Sequence, residues 1–297
     1  MKIFIPSYNR PFTATTPGLL DRCAVDYILV LRNKQQVQLY LENPAFRRIK
    51  HRITVCDEDG SINVAREACR SLLDYGEWCL QMDDNIRGFS VAELGFYWTV
   101  TDLGCHPPRS EFDHIMNVTV PFSTFYEQAI LDSVSEAERR GSNIVTFTPH
   151  ENPYFRQKKW RDVGYTMNKC VLLRKTNLRW DQSENHPAME EYALCAAMHL
   201  DYGRVLINNY AHPLAGHYEP GGLGPYDERL PGKIAACKNI MARYPGFCRN
   251  SDKKSGAREG ELTVRFRTLE QVERWRQDLR ANNVDPNYRD LVDAAVV

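Results

Sequence analysis

Paired cysteines are missing from this chain. The nine cysteines (Cys23, Cys56, Cys69, Cys79, Cys105, Cys170, Cys195, Cys237 and Cys248) are an odd number with no C-x-x-C spacing, and several sit in apolar stretches. They read as buried thiols in a reducing cytosol. Long hydrophobic runs are missing too: no window approaches the roughly 20 apolar residues that span a bilayer. Pro6 interrupts the opening Met1-Lys2-Ile3-Phe4-Ile5 before an apolar region of signal-peptide length can form. The expectation is a cytoplasmic protein with no membrane partner and no evident obligate protein partner. Net charge is also absent, since 38 Lys and Arg balance 38 Asp and Glu. A nucleic-acid surface, if present, has to be a local patch. There is no fixed-period repeat and no low-complexity tract.

What is present is an ordinary globular composition, 43% hydrophobic and 26% charged over 297 residues, enough for one large core with an appendage. Apolar runs at 2–6, 27–31, 52–56 and 77–82 are separated by helix-length segments, which predicts parallel strands buried on both faces. Val64, Ala65, Ala68, Leu72 and Leu73 fall at helical spacing, giving a crossover helix over 62–75 that Gly76 stops. Residues 87–121 lose periodicity and read as an irregular insertion. Ser123 or Thr124 caps a helix running to about Arg140, with strands expected at 143–147, 167–174 and 205–208 and a helix over 189–200. His212 to Tyr218 reads as a loop, followed by the turn-like or lid-like Gly221-Gly222-Leu223-Gly224. A polar linker over 251–260 precedes a strand at 262–267 and a helix at 269–282. The domain reading is 1–248 as one α/β domain and 249–297 as a small α/β C-terminal appendage.

The strand at 77–82 runs directly into Asp83-Asp84-Asn85, which places an acidic cluster at the carboxyl end of a strand, where open α/β sheets bind ligands. Adjacent carboxylates repel unless they share a proton or a cation, and Mg²⁺ or Mn²⁺ is the natural cation for oxygen ligands beside phosphates. A solvated turn is the plainer account of these three residues. Glu190 and Glu191 open a helix, where acids also favour the helix dipole without any catalytic role.

Taken together, these segments resemble the GT-A glycosyltransferases, in particular the large inverting family typified by cellulose and hyaluronan synthases. Ile5-Pro6-Ser7-Tyr8-Asn9-Arg10 resembles that family's nucleotide-cradling loop. Asn63-Val64-Ala65-Arg66-Glu67 resembles its Ala-Arg-Asn helix, and Leu80-Gln81-Met82-Asp83-Asp84-Asn85 its Asp-x-Asp strand end, although Asn85 stands where an acid is usual. Trp180-Asp181 and Glu190-Glu191-Tyr192-Ala193-Leu194 resemble the aromatic-Asp pair and the acidic pair that opens a Leu-containing helix. The resemblance implies a Rossmann-like GT-A domain with a mixed central sheet. It implies nucleotide-sugar contacts from Pro6, Ser7, Tyr8, Arg10, Arg66 and Asp83, and Mn²⁺ or Mg²⁺ on Asp83, Asp84, Asn85 and His217. It further implies Glu191 as catalytic base, with Glu190 orienting the acceptor or replacing Glu191.

Over residues 1 to 230, including Ile86-Arg87-Gly88-Phe89 and Gly221-Gly222-Leu223, the chain looks like the phage-associated TET-associated glycosyltransferases. That likeness implies transfer from a UDP-sugar to 5-hydroxymethylcytosine or 5-hydroxymethyluracil in DNA, in the host cytoplasm if the gene is phage-borne. Arg156, Lys158, Lys159, Trp160 and Arg161 form a basic and aromatic cluster suited to phosphates and bases, or an ordinary solvated loop. Three alternatives stand beside this reading: a transferase for a surface polysaccharide or lipid-linked saccharide, a catalytically silent nucleotide- or DNA-binding module, and a nucleotidyltransferase. The last lacks its usual glycine-rich phosphate loop at Pro6 to Pro11.

Overall fold

The computed structural model describes residues 1–56, 62–94, 115–148, 158–165, 169–180, 189–215, 226–251, 262–282 and 284. Among them, a mixed eight-stranded sheet carries helices on its faces, an α/β architecture. The strands of that sheet are β1 (Lys2–Ser7), β2 (Ile28–Leu31), β3 (Ile53–Val55) and β4 (Trp78–Met82), then β7 (Ile144–Phe147), β8 (Trp160–Arg161), β9 (Cys170–Arg174) and β10 (Leu206–Asn208). Their order is β3-β2-β1-β4-β9-β7-β10-β8. The first four run parallel and β9 enters antiparallel between β4 and β7. Strands β1, β2 and β4 are almost wholly buried, as near-continuous apolar runs require, whereas β3 at the sheet edge is only partly covered.

Helices α1 (Thr16–Arg22), α2 (Lys34–Leu41), α3 (Pro44–Arg48) and α4 (Ile62–Ser71) are interleaved with the first four strands. The crossover helix ends sooner than expected; Val64, Ala65 and Leu73 of the expected apolar set are buried and Ala68 is partly covered, and a polar set is buried beside them. Leu72 is exposed, while Asn63, Arg66, Glu67 and Arg70 are buried. Burying this polar set is possible because Arg70 grips Glu67 through two nitrogens and donates Nη1 to the Thr176 carbonyl at 3.0 Å. Glu67 in turn accepts the Trp180 backbone N–H at 2.9 Å. A buried ion pair with every partner in place avoids the desolvation penalty that an isolated charge would carry.

The stretch expected to be irregular after Arg87 is largely regular where it is described. Strands β5 (Ile86–Leu94) and β6 (Ile115–Val120) pair antiparallel, and β11 (Ala211–Ala215) flanks β5, in the order β11-β5-β6. The period-2 signal is lost because β5 is covered on both sides, with Phe89, Ser90, Val91 and Ala92 all buried. The expected loop from His212 is therefore strand as far as Ala215. Pro213 is accommodated in this strand because β11 lies at the edge of the sheet, where a residue that cannot donate is tolerated.

The next helix starts at Phe122, with Pro121 before it, so Ser123 and Thr124 lie inside its first turn and do not cap it. It continues through a π segment (Tyr126–Leu131) into Asp132–Arg140 and stops at Gly141, which sits at φ +70° in the left-handed region glycine favours. Gly203, at φ +73°, ends the helix Glu190–Tyr202 in the same way. The helices Tyr226–Arg243 and Leu269–Ala281 and the hairpin β12 (Cys248–Asn250) and β13 (Leu262–Val264) complete the described chain. Phe247, Val264, Phe266 and Trp275 belong to the same apolar cluster as Tyr192 and Leu194 of helix Glu190–Tyr202, so the C-terminal elements share its core. Six cysteines are buried, Cys23 and Cys56 are partly covered, all eight are free thiols, and Cys105 lies outside the described residues. Among the described residues, no helix is long and apolar enough to cross a membrane.

Candidate active site

Strand β1 ends at Ser7 beside the end of β4, and the two loops that follow face each other. The loop after β1 turns through Asn9 at φ +53°. It is held by a reciprocal pair in which Asn9 N–H donates to Gln36 Oε1 (2.9 Å) and Gln36 Nε2 donates to Asn9 Oδ1 (2.7 Å). Tyr40 accepts the Arg10 N–H at 3.0 Å and shares a hydrogen bond with Ser7 Oγ. Burial pushes the Tyr40 phenol well above its ordinary range, so it stays neutral. Pro6 is buried, Tyr8 is half-covered, and the Arg32 guanidinium lies 5.3 Å from the Tyr8 ring centroid.

The acidic turn is held from α1. Thr16 Oγ1 donates to the Asp83 carbonyl (2.6 Å) and accepts from Ile86 N–H (2.8 Å), and Thr15 N–H donates to the Asp84 carbonyl (2.8 Å). From the other side, Asp83 N–H donates to the Lys169 carbonyl at 2.7 Å. A turn with its backbone tied on both sides fixes where its side chains point.

The two acids of this turn point to different places. Asp84 is buried, 6% exposed, with Oδ1 on Arg10 Nη1 at 2.5 Å and Oδ2 accepting from Ser7 Oγ. Burial raises its carboxyl above the ordinary range, and Arg10 and Ser7 work against that rise. Asp83 keeps 34% of its side chain exposed and takes Arg66 Nη2 on Oδ1 at 2.9 Å. Asn85 is buried.

Arg66 joins this turn to the opening of helix Glu190–Tyr202. Its side chain is 3% exposed, its Nε lies 3.7 Å from Glu190 Oε1, and its guanidinium sits 5.4 Å from the Trp180 ring centroid. Glu190 is buried and Glu191 beside it is partly covered. Burial, followed by the neighbouring Glu190 charge, holds the Glu191 carboxyl well above the usual carboxylate range. Two acids that stand over 100 residues apart in the chain, Asp83 and Glu190, thus share one guanidinium.

The sequence-derived candidates therefore divide into two groups. Ser7, Arg10, Arg66, Asp83, Asp84, Glu190 and Glu191 gather at the carboxyl ends of β1 and β4. Lys158, Lys159, Trp160 and Arg161 lie at β8, the far edge of the same sheet. Trp160 pairs with Asn208, so they share the carboxyl rim but stand four strands from β4, roughly 19 Å away. Lys159 is tied to Asp132 at 2.7 Å, while Lys158 and Arg161 are exposed. Arg156, Asp181, His217 and Gly221 to Gly224 lie outside the described residues. His212, the other histidine of its segment, is buried in β11 with Nδ1 2.6 Å from the Thr148 carbonyl oxygen.

Tyr40, Gln36, Thr15 and Thr16 brace the site and were not singled out from the sequence. They lie on α2 or at the start of α1, and only the return of β1 beside β4 brings them into reach. Among the described residues, no three His, Cys, Asp or Glu side chains are grouped to hold a metal ion. No known family model matches the chain. No curated protein matches it either.

Proposed function

We propose that the protein is a metal-dependent glycosyltransferase of the GT-A kind, moving a sugar from a UDP-sugar to a hydroxymethylpyrimidine in DNA. The single observation that carries this reading is Arg66 holding Asp83 and Glu190 together at the carboxyl edge of a parallel strand set, with Glu191 beside them. Open α/β sheets bind their ligands at that edge.

The residues present fit a Mn²⁺ or Mg²⁺ ion that draws only one carboxylate from the described chain. Asp83 is partly exposed and meets Arg66 through Oδ1, and such ions take one or two carboxylates and fill the rest with phosphate oxygens and water. Asp84, with both oxygens engaged and its side chain buried, fits an internal brace. When bound, the ion would neutralise charge building on the diphosphate.

In the proposed reaction, Glu191 accepts the proton of the acceptor hydroxyl as that oxygen bonds to the anomeric carbon. The anomeric C–O bond to the diphosphate breaks and its electron pair leaves on UDP. Attack opposite the leaving group inverts the anomeric centre. The proton then passes from Glu191 to solvent. A carboxylate whose pKa is raised by burial is a stronger base than an exposed one, which suits this role. Lys158 and Arg161, on the same rim roughly 19 Å away, would hold phosphates of a long acceptor.

The test is incubation with Mn²⁺, a panel of UDP-sugars and DNA with or without hydroxymethylated pyrimidines, followed by nucleoside mass spectrometry. A hexose-mass gain confined to hydroxymethylated DNA, and lost in Asp83→Ala and Glu191→Gln, is the expected result. UDP release without DNA modification keeps the transferase and moves the acceptor to saccharides. A second reading, a catalytically silent nucleotide- or DNA-binding module, draws on the full engagement of Asp84 and on the lack of a three-ligand metal group among the described residues. Absence of both signals favours it.

A further inference from the structure

We propose that Arg66 is a positioning residue that couples cation binding at Asp83 to the acceptor-side carboxylates Glu190 and Glu191. This rests on the transferase reading and adds to it a link between the two halves of the site.

Arg66 is placed to do this by four contacts from three parts of the chain. Its Nη2 meets Asp83 Oδ1 at 2.9 Å, its Nε lies 3.7 Å from Glu190 Oε1, and its guanidinium faces Trp180 at 5.4 Å. Its backbone carbonyl accepts Gln81 Nε2 from β4 at 3.2 Å, which ties the helix turn carrying Arg66 to the strand carrying Asp83. With the Arg66 side chain 3% exposed and Glu190 buried, water screens that pair little, while Asp83 stays open to solvent. A planar guanidinium keeps a fixed fork, so strengthening its hold on one carboxylate alters its fit to the other.

The consequence follows from charge balance. A divalent ion at Asp83 takes over the neutralisation that Arg66 supplies, leaving the guanidinium more fully to Glu190. The acceptor-side pair is thereby set when the donor and its ion are in place, and is held less firmly before that. The link is reciprocal, because removing the charge of Glu190 leaves Arg66 more fully on Asp83, where it opposes an incoming cation.

The test is a double-mutant cycle on cation binding, with free Mn²⁺ followed by electron paramagnetic resonance in the presence of UDP. The variants are Glu190→Gln, Arg66→Gln, the two combined, and Arg66→Lys as a second background that keeps the charge and loses the fork. Folding of each is checked by circular dichroism, and Arg66→Lys carries the cycle if Arg66→Gln does not fold. In the wild-type background, Glu190→Gln is expected to weaken Mn²⁺ binding about tenfold, within the usual range of site-to-site coupling. In either Arg66 background the same change is expected to move the affinity less than about twofold. An equal effect of Glu190→Gln in all backgrounds overturns the coupling and leaves the transferase standing. Failure of the wild-type protein to bind Mn²⁺ with UDP overturns both.

Discussion

Asp83 and Asp84 are neighbours in the chain and have separate partners: Asp83 reaches Arg66 and solvent, Asp84 reaches Arg10 and Ser7 inside the protein. Their substitutions should therefore separate into two kinds. Asp83→Ala is expected to keep the fold and lose Mn²⁺-dependent UDP release. Asp84→Ala leaves Arg10 without its carboxylate, and breaking a largely buried pair costs about 3–5 kcal/mol. Urea unfolding followed by circular dichroism, run beside a UDP-release assay, checks both. Equal stability losses in the two variants would contradict the division of roles.

The base assignment has a pH signature. Glu191 must be ionised to take a proton, and its carboxyl is held well above the ordinary range by burial and by Glu190. A raised pKa means the active form is lost as pH falls through that raised value, so transfer should decline at a higher pH than an exposed carboxylate would give. Glu190→Gln removes the neighbouring charge and is expected to shift the acid limb of the kcat profile to lower pH. Glu191→Gln should abolish transfer while UDP binding persists. A profile unmoved by Glu190→Gln would sink the assignment.

At the far edge of the sheet, Lys158 and Arg161 are exposed, and Lys159 is tied to Asp132. If this rim holds DNA phosphates, each of Lys158→Ala and Arg161→Ala should weaken binding on any sequence and reduce the salt slope by about one. Fluorescence anisotropy across a salt series reads this. An unchanged slope in both variants places the DNA elsewhere or removes it as a partner.

His199, on helix Glu190–Tyr202, is fully buried, with Nε2 3.0 Å from the Gly164 carbonyl oxygen, and burial lowers its pKa to about 4. In the unfolded chain it titrates near 6.5. Between these values the unfolded state binds a proton that the folded state refuses, so stability falls as pH drops from about 6.5 to about 4. The loss at pH 5 is expected to be about 2 kcal/mol relative to pH 7. Urea midpoints at the two pH values measure it, and His199→Phe should flatten the dependence.

The C-terminal helix offers a test of local structure. Thr268 and Gln271 form a capping box, with Thr268 Oγ1 accepting from Gln271 N–H and Gln271 Oε1 from Thr268 N–H. Trp275 of that helix packs on Phe247 and Phe266. Thr268→Ala is expected to cost about 1 kcal/mol in global unfolding. Because those aromatic rings belong to the shared core, the loss should appear in the transition of the whole chain. A separate early transition would show that residues 262–282 unfold alone.

The sequence by itself determined the elements whose physics is local. The apolar runs of β1, β2 and β4 marked buried strands, Gly141 and Gly203 marked helix ends, and Asp83-Asp84-Asn85 fell at a strand's carboxyl end because the run ahead of it has the composition of a fully covered strand. Other features depended on what packs against them. Strand β5 has no alternation because both faces are covered, and β11 contains Pro213 because it lies at an edge. Helix α4 buries polar residues beside Val64, Ala65 and Cys69 because Arg70, Thr176 and Trp180 complete the bonds of Glu67, and no periodicity encodes partners from a segment over 100 residues away. The same reasoning separates the two acids. Their identity is written in the chain, but only the meeting of β1, α4 and helix Glu190–Tyr202 decided that Asp84 braces the interior while Asp83 stays open beside Arg66. Charge pairing acts through space, and sequence spacing does not carry that information.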